Sequence, residues 1–186
     1  RRRIVVSIAA GIRLADLARW LGAGTPIVRA MPNRPALIGA GITALYAGNG
    51  IAARDREDVE ALMSAAGSTV WLDQESQMDA VTAISGSGPA YFFLLIEALE
   101  SAGVASGLPA ATARRLAIET ARGAGLMAAQ GGETPAVLRE QVTSRGGTTE
   151  AALQVLEAAA VSDTFRSAVA AAARRSAQLA DEFGST

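Results

Sequence analysis

The periodicity of the apolar residues changes once along the chain, near Leu72, and this change constrains the fold more than any other feature. Before it, short β-rich runs alternate with helical patterns, and these runs read IVVSI, PIVRAM, GITALYA and STVWL. After it, apolar residues recur at three- and four-residue spacing almost to the end of the chain. The sequence therefore predicts an α/β domain over residues 1–74 and an all-helical domain over residues 75–186.

The first region follows the order strand, helix, strand, strand, helix, strand, which predicts a partial Rossmann-like parallel sheet. Its short continuous apolar runs suit strands that are covered on both faces. A dinucleotide-binding domain normally opens with a strand, a glycine-rich turn and a helix, whereas the first turn here reads SIAAGI. Either the domain is not a dinucleotide fold, or its leading half is absent from this chain.

The second region is predicted to form helices that carry long apolar faces. The pattern places them at 77–84, 90–102, 110–129, 135–142, 150–158 and 164–183. The segment AYFFLLIEAL is apolar nearly all round, and a helix without a polar face is usually buried on every side. We therefore expect part of this surface to meet a second copy of the chain, the alternative being an ordinary core helix.

Composition limits the partners of the protein. Hydrophobic residues make up 50% of the 186 residues and the formal net charge is -1. We therefore expect a soluble globular protein without a basic surface for nucleic acid. The longest apolar runs, such as PAYFFLLI, fall short of the ~20 residues that cross a bilayer, so no membrane span is predicted.

Three missing residue types limit the chemistry further. The chain has no Cys, His or Lys, so all 17 basic residues are Arg. This excludes thiol nucleophiles, Cys/His metal sites, Ser-His-Asp triads and Schiff-base lysines, and no metal site is predicted. Carboxylates, hydroxyls, backbone amides or a cofactor with its own reactive hydride remain. The absence of Cys fits a cytoplasmic protein.

The stretch SRGGTTEAAL, residues 144–153, places two glycines and two threonines before a predicted helix. The first N–H groups of a helix lack intrahelical acceptors and carry partial positive charge, so this turn could bind a carboxylate or phosphate. The alternative is a helix-loop-helix connection with a Thr N-cap. Spacing alone does not separate the two.

Two other stretches interrupt the pattern. AISGSGPAY breaks a helical pattern with two glycines and a proline, which indicates either a kink or a close-approach surface for a flat ligand. RAMPNRPAL follows a strand, where ligands bind in open α/β sheets, although two prolines can simply fix a turn. Asp73, Glu75 and Asp79 lie at the junction between the two regions, either solvated or lining a cleft.

Taken together, these stretches resemble pyrroline-5-carboxylate reductase, which reduces a cyclic imine to L-proline with NADPH or NADH. The family's fold is an N-terminal Rossmann domain followed by a helical domain that dimerises by interleaving, with dimers sometimes building larger rings. Relative to it, the chain lacks the leading strand and glycine-rich turn, so we expect a truncated form with little activity alone. The resemblance is carried by SIAAGI, RAMPNRPALIGAGITAL, ESQMDAVTAISGSGPAYFFLLIEAL, SAGVASGLPAATARRLA and VTSRGGTTEAALQVLE.

For the substrate, the resemblance implies that backbone amides around Gly146, Gly147 and Thr148 hold the carboxylate, with Ser144 nearby. Thr149 would place its hydroxyl against the ring nitrogen as the catalytic residue. Arg145 stands where the family often has Pro or Lys.

The resemblance also assigns residues outside this loop. Glu75 matches an acidic position close to the substrate. Ala10 and the loop of Met31, Pro32 and Asn33 match positions that line the nicotinamide end of the cofactor.

Two other functions stay open. One is a related reductase that acts on another imine or on a hydroxy acid, although the hydroxy-acid branch relies on a lysine that this chain lacks. The other is a non-catalytic helical dimerisation remnant.

Overall fold

A computed structural model of the protein describes residues 4–22, 24–48 and 50–184. The strands are β1 (Val5–Ser7), β2 (Ile27–Met31), β3 (Gly41–Ala47) and β4 (Gly67–Trp71). The helices are α1 (Leu14–Leu21), α2 (Ala53–Ser64), α3 (Gln77–Val81), α4 (Gly88–Ala105), α5 (Ala110–Gln130), α6 (Pro135–Gln141), α7 (Thr148–Ala158) and α8 (Val161–Gly184). The predicted helix ends differ from these by about three residues or fewer, within the usual fraying of helix termini.

The chain divides into two compact units. The α/β unit contains the described residues up to Pro89 and those from Ser167 onward, and the helical unit is Ala90–Arg166. The C-terminal part of α8 therefore belongs to the α/β unit, whereas the sequence pattern groups all of that helix with the helical domain. The predicted domain boundary after residue 74 stays a prediction.

The predicted α/β sheet followed by helices is confirmed, with one correction to the strand directions. The sheet order is β1-β2-β3-β4, and β1 with β2 and β3 with β4 are parallel pairs. The pair β2 and β3 is antiparallel, so the sheet is mixed rather than wholly parallel. The connection between them holds just a short 3-10 helix, Arg34–Ile38. A parallel crossover needs a dozen or more residues, and this loop is too short for one.

The core of the α/β unit lies where α2 covers the sheet. Val28 and Leu45, on neighbouring strands, are both fully buried, and Ala30 and Val59 complete the cluster. Burying a side chain of this size contributes about 1.5–3 kcal/mol relative to exposure. This cluster fixes the strands whose ends carry the predicted ligand loops.

The predicted break in AISGSGPAY is a π-helical turn, Thr82–Gly86, between α3 and α4. The Ser87 N–H donates to the Thr82 carbonyl at 2.8 Å, a spacing of five residues that marks the wider turn. By length and composition alone, the joined helix Gln77–Ala105 is long and apolar enough to cross a membrane. The sequence analysis predicts no span because the longest uninterrupted apolar runs, such as PAYFFLLI, are shorter than the ~20 residues that cross a bilayer. A single helix of this kind is weak evidence, since core helices pass the same test.

The helical unit packs mainly through small residues. Ala113 and Ala117 of α5 are its buried apolar residues within the described chain. A β-carbon on Gly103 would lie 3.0 Å from the Ala113 β-carbon, so α4 and α5 approach closely there. Its large apolar side chains are exposed, among them Phe92, Phe93, Leu94, Leu95, Leu116, Ile118, Leu126, Met127, Val155 and Leu156.

Candidate functional site

The glycine-rich loop between α6 and α7 is a tight turn in the helical unit. The Thr143 hydroxyl donates to the Arg139 carbonyl at 2.6 Å and so caps the end of α6. Gly146 has φ +71, in the left-handed region that favours glycine. Arg145 is exposed on the loop. The chain thereby turns from one helix directly into the next.

Gly147 lies where the loop is most crowded. Its N–H donates to the Ser144 carbonyl at 3.0 Å. A β-carbon on Gly147 would come within 2.5 Å of the Ser144 Oγ, so any larger residue would displace the serine. Gly147 is also the N-cap of α7, which corrects the alternative of a Thr N-cap, because Thr148 is the first helical residue.

Glu150 reaches back over the loop. Its Oε2 accepts from the Gly146 N–H at 2.7 Å. The amides of Gly146 and Gly147 therefore both donate within the loop itself. The first-turn N–H groups of Thr148 and Thr149 remain, because a helix offers no acceptor to its first amides. Thr149 is half-buried and Thr148 is exposed.

In the α/β unit, the loop of Met31, Pro32 and Asn33 follows the end of β2. The Asn33 Oδ1 accepts from the Ile42 N–H at 3.0 Å, which ties the loop to β3. A β-carbon on Gly86 would lie 3.0 Å from the Met31 Cε, so the π-helical turn approaches this loop closely. The structure thus brings together two stretches that the sequence pattern treats separately.

Glu75 is a bridging residue of the α/β unit. Its Oε1 accepts from the Leu14 N–H at 2.7 Å and from the Arg29 guanidinium at 2.8 Å. The Arg29 side chain is 11% exposed and that of Glu75 28%. The pair lines a cavity of about 230 Å³ together with Arg13, Ser76, Met78, Asp79 and Ala180.

Sequence reasoning did not single out Arg29. A single charge inside the otherwise apolar strand PIVRAM is the signal that could have identified it, because a nearly buried arginine requires a carboxylate partner. The partner is Glu75, 46 residues later in the chain. No local pattern connects the two positions.

Ala10 lies exposed in the loop of residues 8–13, between β1 and α1. The neighbouring Arg13 pairs with Asp181 near the end of α8 at 2.6 Å. This hydrogen bond raises the pKa of Arg13, since it stabilises the charged guanidinium, and burial opposes it more weakly. Sequence reasoning also missed this contact, because 168 residues separate the partners.

The predicted site residues thus fall into two groups. Ala10, Glu75 and the loop 31–33 belong to the α/β unit, and the loop 144–149 belongs to the helical unit. Within residues 4–22, 24–48 and 50–184, no group of three or more acidic side chains could hold a metal ion.

Comparison with known proteins finds a family model described as pyrroline-5-carboxylate reductase dimerisation, which matches residues 75–179. The chain is 50% identical over 182 residues to a pyrroline-5-carboxylate reductase of Pseudomonas aeruginosa, covering 98% of this chain and 67% of that protein. It is 45% identical over 179 residues to the reductase of Arabidopsis thaliana, covering 96% of this chain and 64% of the relative.

Solved structures agree with this likeness. A pyrroline-5-carboxylate reductase from Coxiella burnetii superposes with a TM-score of 0.94 at 40% identity, over 96% of this chain and 66% of that one. The Plasmodium falciparum pyrroline carboxylate reductase, solved with NADP bound, superposes with a TM-score of 0.87 at 31% identity. The match covers 96% of this chain and 71% of that one. The chain spans about two thirds of the length of the curated relatives it matches. A match of this extent across both units places the chain in the pyrroline-5-carboxylate reductase family.

Proposed function

We propose that the protein acts in the reduction of L-1-pyrroline-5-carboxylate to L-proline with hydride from NADPH or NADH, the last step of proline biosynthesis, in the cytoplasm. The observation that carries this proposal is the loop 144–149, which presents the start of α7 through a crowded glycine turn. Membership of the family and the NADP bound to the Plasmodium falciparum relative support it.

The substrate carboxylate is assigned to the backbone amides around Gly146, Gly147 and Thr148, with Ser144 nearby and Thr149 following in the first turn of α7. A helix N-terminus favours an anion because its amides are unpaired and its dipole end is positive. The Gly146 N–H already donates to Glu150, so a substrate contact to that amide would replace an existing bond.

Thr149 is assigned to the ring nitrogen. A protonated cyclic imine accepts hydride readily, so the reaction needs positioning more than a strong acid, in keeping with a chain that has no His, Cys or Lys. A hydroxyl hydrogen bond would orient the ring and hold the proton on the nitrogen. The nicotinamide cofactor supplies the hydride when it is bound.

On the α/β unit, Ala10 and the loop of Met31, Pro32 and Asn33 are assigned to the nicotinamide end of the cofactor. The position of this loop at the carboxyl end of β2 supports the assignment, because ligands bind at the carboxyl ends of strands in open α/β sheets. Glu75 is assigned to the substrate. Both of its described hydrogen bonds use Oε1, so Arg29 and Leu14 hold the carboxylate in a fixed orientation.

We also propose that the 186 residues alone bind NAD(P)H weakly and have little activity. The turn after β1 reads SIAAGI, without the G-x-G-x-x-G pattern that seats a pyrophosphate on a helix N-terminus. A dissociation constant for NADPH in the ordinary micromolar range would contradict this part of the proposal.

The test is imine-dependent oxidation of NADPH, measured for the chain extended at its N-terminus by a glycine-rich cofactor-binding segment, as the parent sequence, Thr149→Ser and Thr149→Ala. We expect Thr149→Ala to lower kcat/KM by about 10²-fold, because one positioned hydrogen bond to the reacting group is lost. Thr149→Ser, which keeps the hydroxyl, should retain most of the activity. Equal rates for the parent chain and Thr149→Ala would contradict the role of Thr149.

A non-catalytic dimerisation module is the second candidate. It is favoured by the exposed apolar side chains of α4 and α5, and by the match to a family model that concerns dimerisation. A parent chain that self-associates but shows no response to NADPH at any concentration would favour this function over the reductase.

A further inference from the structure

The end of α8 contacts the loop of residues 8–13 within the α/β unit. The Arg13 Nη2 donates to the Asp181 Oδ1 at 2.6 Å, and the Arg19 Nη2 donates to the Gly184 carbonyl at 2.8 Å. A β-carbon on Gly11 would lie 3.2 Å from the Phe183 ring. A charge pair and an aromatic ring therefore fix this helix end against the loop, and the bond from Arg19 ties it to α1.

The same helix is anchored one and two turns earlier. The Ser176 hydroxyl donates to the Asp79 Oδ1 at 2.7 Å, just before the π-helical turn. Ser176 is 6% exposed and Ala180 is 4% exposed, so a stripe of small residues lies against the α/β unit. Terminal helix turns usually fray. These contacts hold the last turns of α8 in place.

The loop has little structure of its own to hold it. Its local side-chain hydrogen bonds, Ala9 N–H to the Ser7 Oγ and Arg13 N–H to the Asp16 Oδ2, are both long at 3.4 Å. Its far end is fixed by Glu75, which accepts from the Leu14 N–H. Contacts from distant segments therefore determine the loop conformation.

We propose that Asp181 and Phe183 are positioning residues, and that the end of α8 acts as a clamp that sets the loop 8–13 for the nicotinamide end of the cofactor. This rests on the proposed function, which assigns Ala10 of that loop to the nicotinamide. The two residues lie beyond the segment that matches the family model. The clamp couples the last turn of α8 to the cofactor loop, 168 residues away.

Hydrogen exchange followed by mass spectrometry on the 186-residue chain tests the clamp without requiring activity. In Phe183→Ala and Asp181→Asn, the amides of residues 8–13 should exchange roughly tenfold faster, because local opening becomes easier. Phe183→Leu, which keeps an apolar contact, should restore most of the protection. Glu182→Ala is the matched control, since the exposed Glu182 pairs with Arg175 on its own helix.

The amides of β2 and β3 serve as an internal standard, so that global unfolding is recognised. Should Phe183→Ala unfold, Asp181→Asn carries the same comparison with a smaller perturbation. Unchanged exchange of the loop 8–13 in both folded variants would overturn the clamp.

A second set of measurements, with NADPH titrated up to concentrations high enough for a weak binder, separates the clamp from the proposed function. The parent chain and Glu182→Ala should show slower exchange of the loop 8–13 with NADPH, and Phe183→Ala should need several-fold more NADPH for the same effect. L-proline affinity should not differ among the variants. Equal NADPH dependence in all variants overturns the positioning role. No NADPH effect in the parent chain counts instead against the proposed function.

Discussion

The two units bury their apolar side chains in opposite ways. In the α/β unit, Val28 and Leu45 are fully buried beneath α2. In the helical unit, the buried apolar residues within the described chain are two alanines, Ala113 and Ala117. Leu94, on the most apolar helix, is 66% exposed. The α/β unit thus buries large apolar side chains in a core, although some others, such as Leu37 and Ile38, are exposed, whereas the helical unit buries alanines and leaves most of its large apolar side chains facing outward.

This difference indicates that the helical unit gains its stability from another surface. Four consecutive large apolar residues of α4, Phe92 to Leu95, are exposed, and large exposed apolar patches usually mark an interface. A second copy of the chain is the occupant that the family's dimerisation region suggests. On this account the α/β unit is stable as a single chain, whereas the helical unit depends on protein concentration.

The largest expected effect comes from a charge on the exposed face of α4. Leu94→Asp should abolish self-association and lower the helical content, because an unpaired carboxylate would have to be buried at the interface. The measurements are sedimentation velocity and circular dichroism. Glu97→Gln, an exposed polar site on the same helix, is the control. A Leu94→Asp protein that associates like the parent chain would contradict the claim that the helical unit is stabilised by an interface through α4.

Two leucines allow a matched test of the same comparison. Leu45→Ala, in the closed core, should cost about 2–5 kcal/mol at every protein concentration, since it leaves a cavity. Leu94→Ala should lower the free energy of dimerisation by a similar amount, measured as a higher dimer dissociation constant. In urea titrations at low and high concentration, the unfolding midpoint of Leu94→Ala should shift further with concentration than that of Leu45→Ala. A cost within about 0.5 kcal/mol for Leu94→Ala at all concentrations would mean that Leu94 is an ordinary surface residue.

A smaller effect is expected at the loop between α6 and α7. Glu150→Ala should destabilise the loop by about 1 kcal/mol, because the Gly146 N–H loses its acceptor at an exposed site. Glu150→Gln retains an acceptor oxygen and should behave like the parent chain. Hydrogen exchange at Gly146 is the direct measurement. Equal exchange in Glu150→Ala and the parent chain would show that this bond does not hold the loop.

The smallest effect concerns the start of α6. The Thr134 Oγ1 accepts from the Val137 N–H at 3.4 Å, a long N-cap hydrogen bond. Thr134→Ala should cost about 0.5–1 kcal/mol, at the low end for a lost N-cap. Thr134→Ser is the control, measured by thermal unfolding. A larger loss would indicate that this helix start also contributes to the interface.

Local patterns predicted most of the fold from the sequence. Apolar periodicity located the strands and helices, because both depend on neighbours close in the chain. The strand direction of β3 was missed, since that depends on the short loop after Met31 rather than on composition. The break at AISGSGPAY was predicted as an interruption, whereas a π-helical turn lets the helix continue.

The candidate site was predicted where one segment contains it and missed where distant segments meet. The loop 144–149 is contiguous, so its glycines and threonines could be recognised together. The pairing of Arg29 with Glu75 and that of Arg13 with Asp181 join segments far apart in the chain. The hydrogen bond from the Gly146 N–H to Glu150 is local. Residue types alone could not show that this N–H, which was predicted to bind the substrate carboxylate, already donates to a glutamate.

Sedimentation velocity over a range of protein concentrations, with circular dichroism on the same samples, tests the central claim most directly. The account predicts a species of twice the 19.0 kDa chain mass, and helical content that falls as this species dissociates. A monomer of 19.0 kDa that keeps its full helical content at the lowest concentration would contradict it.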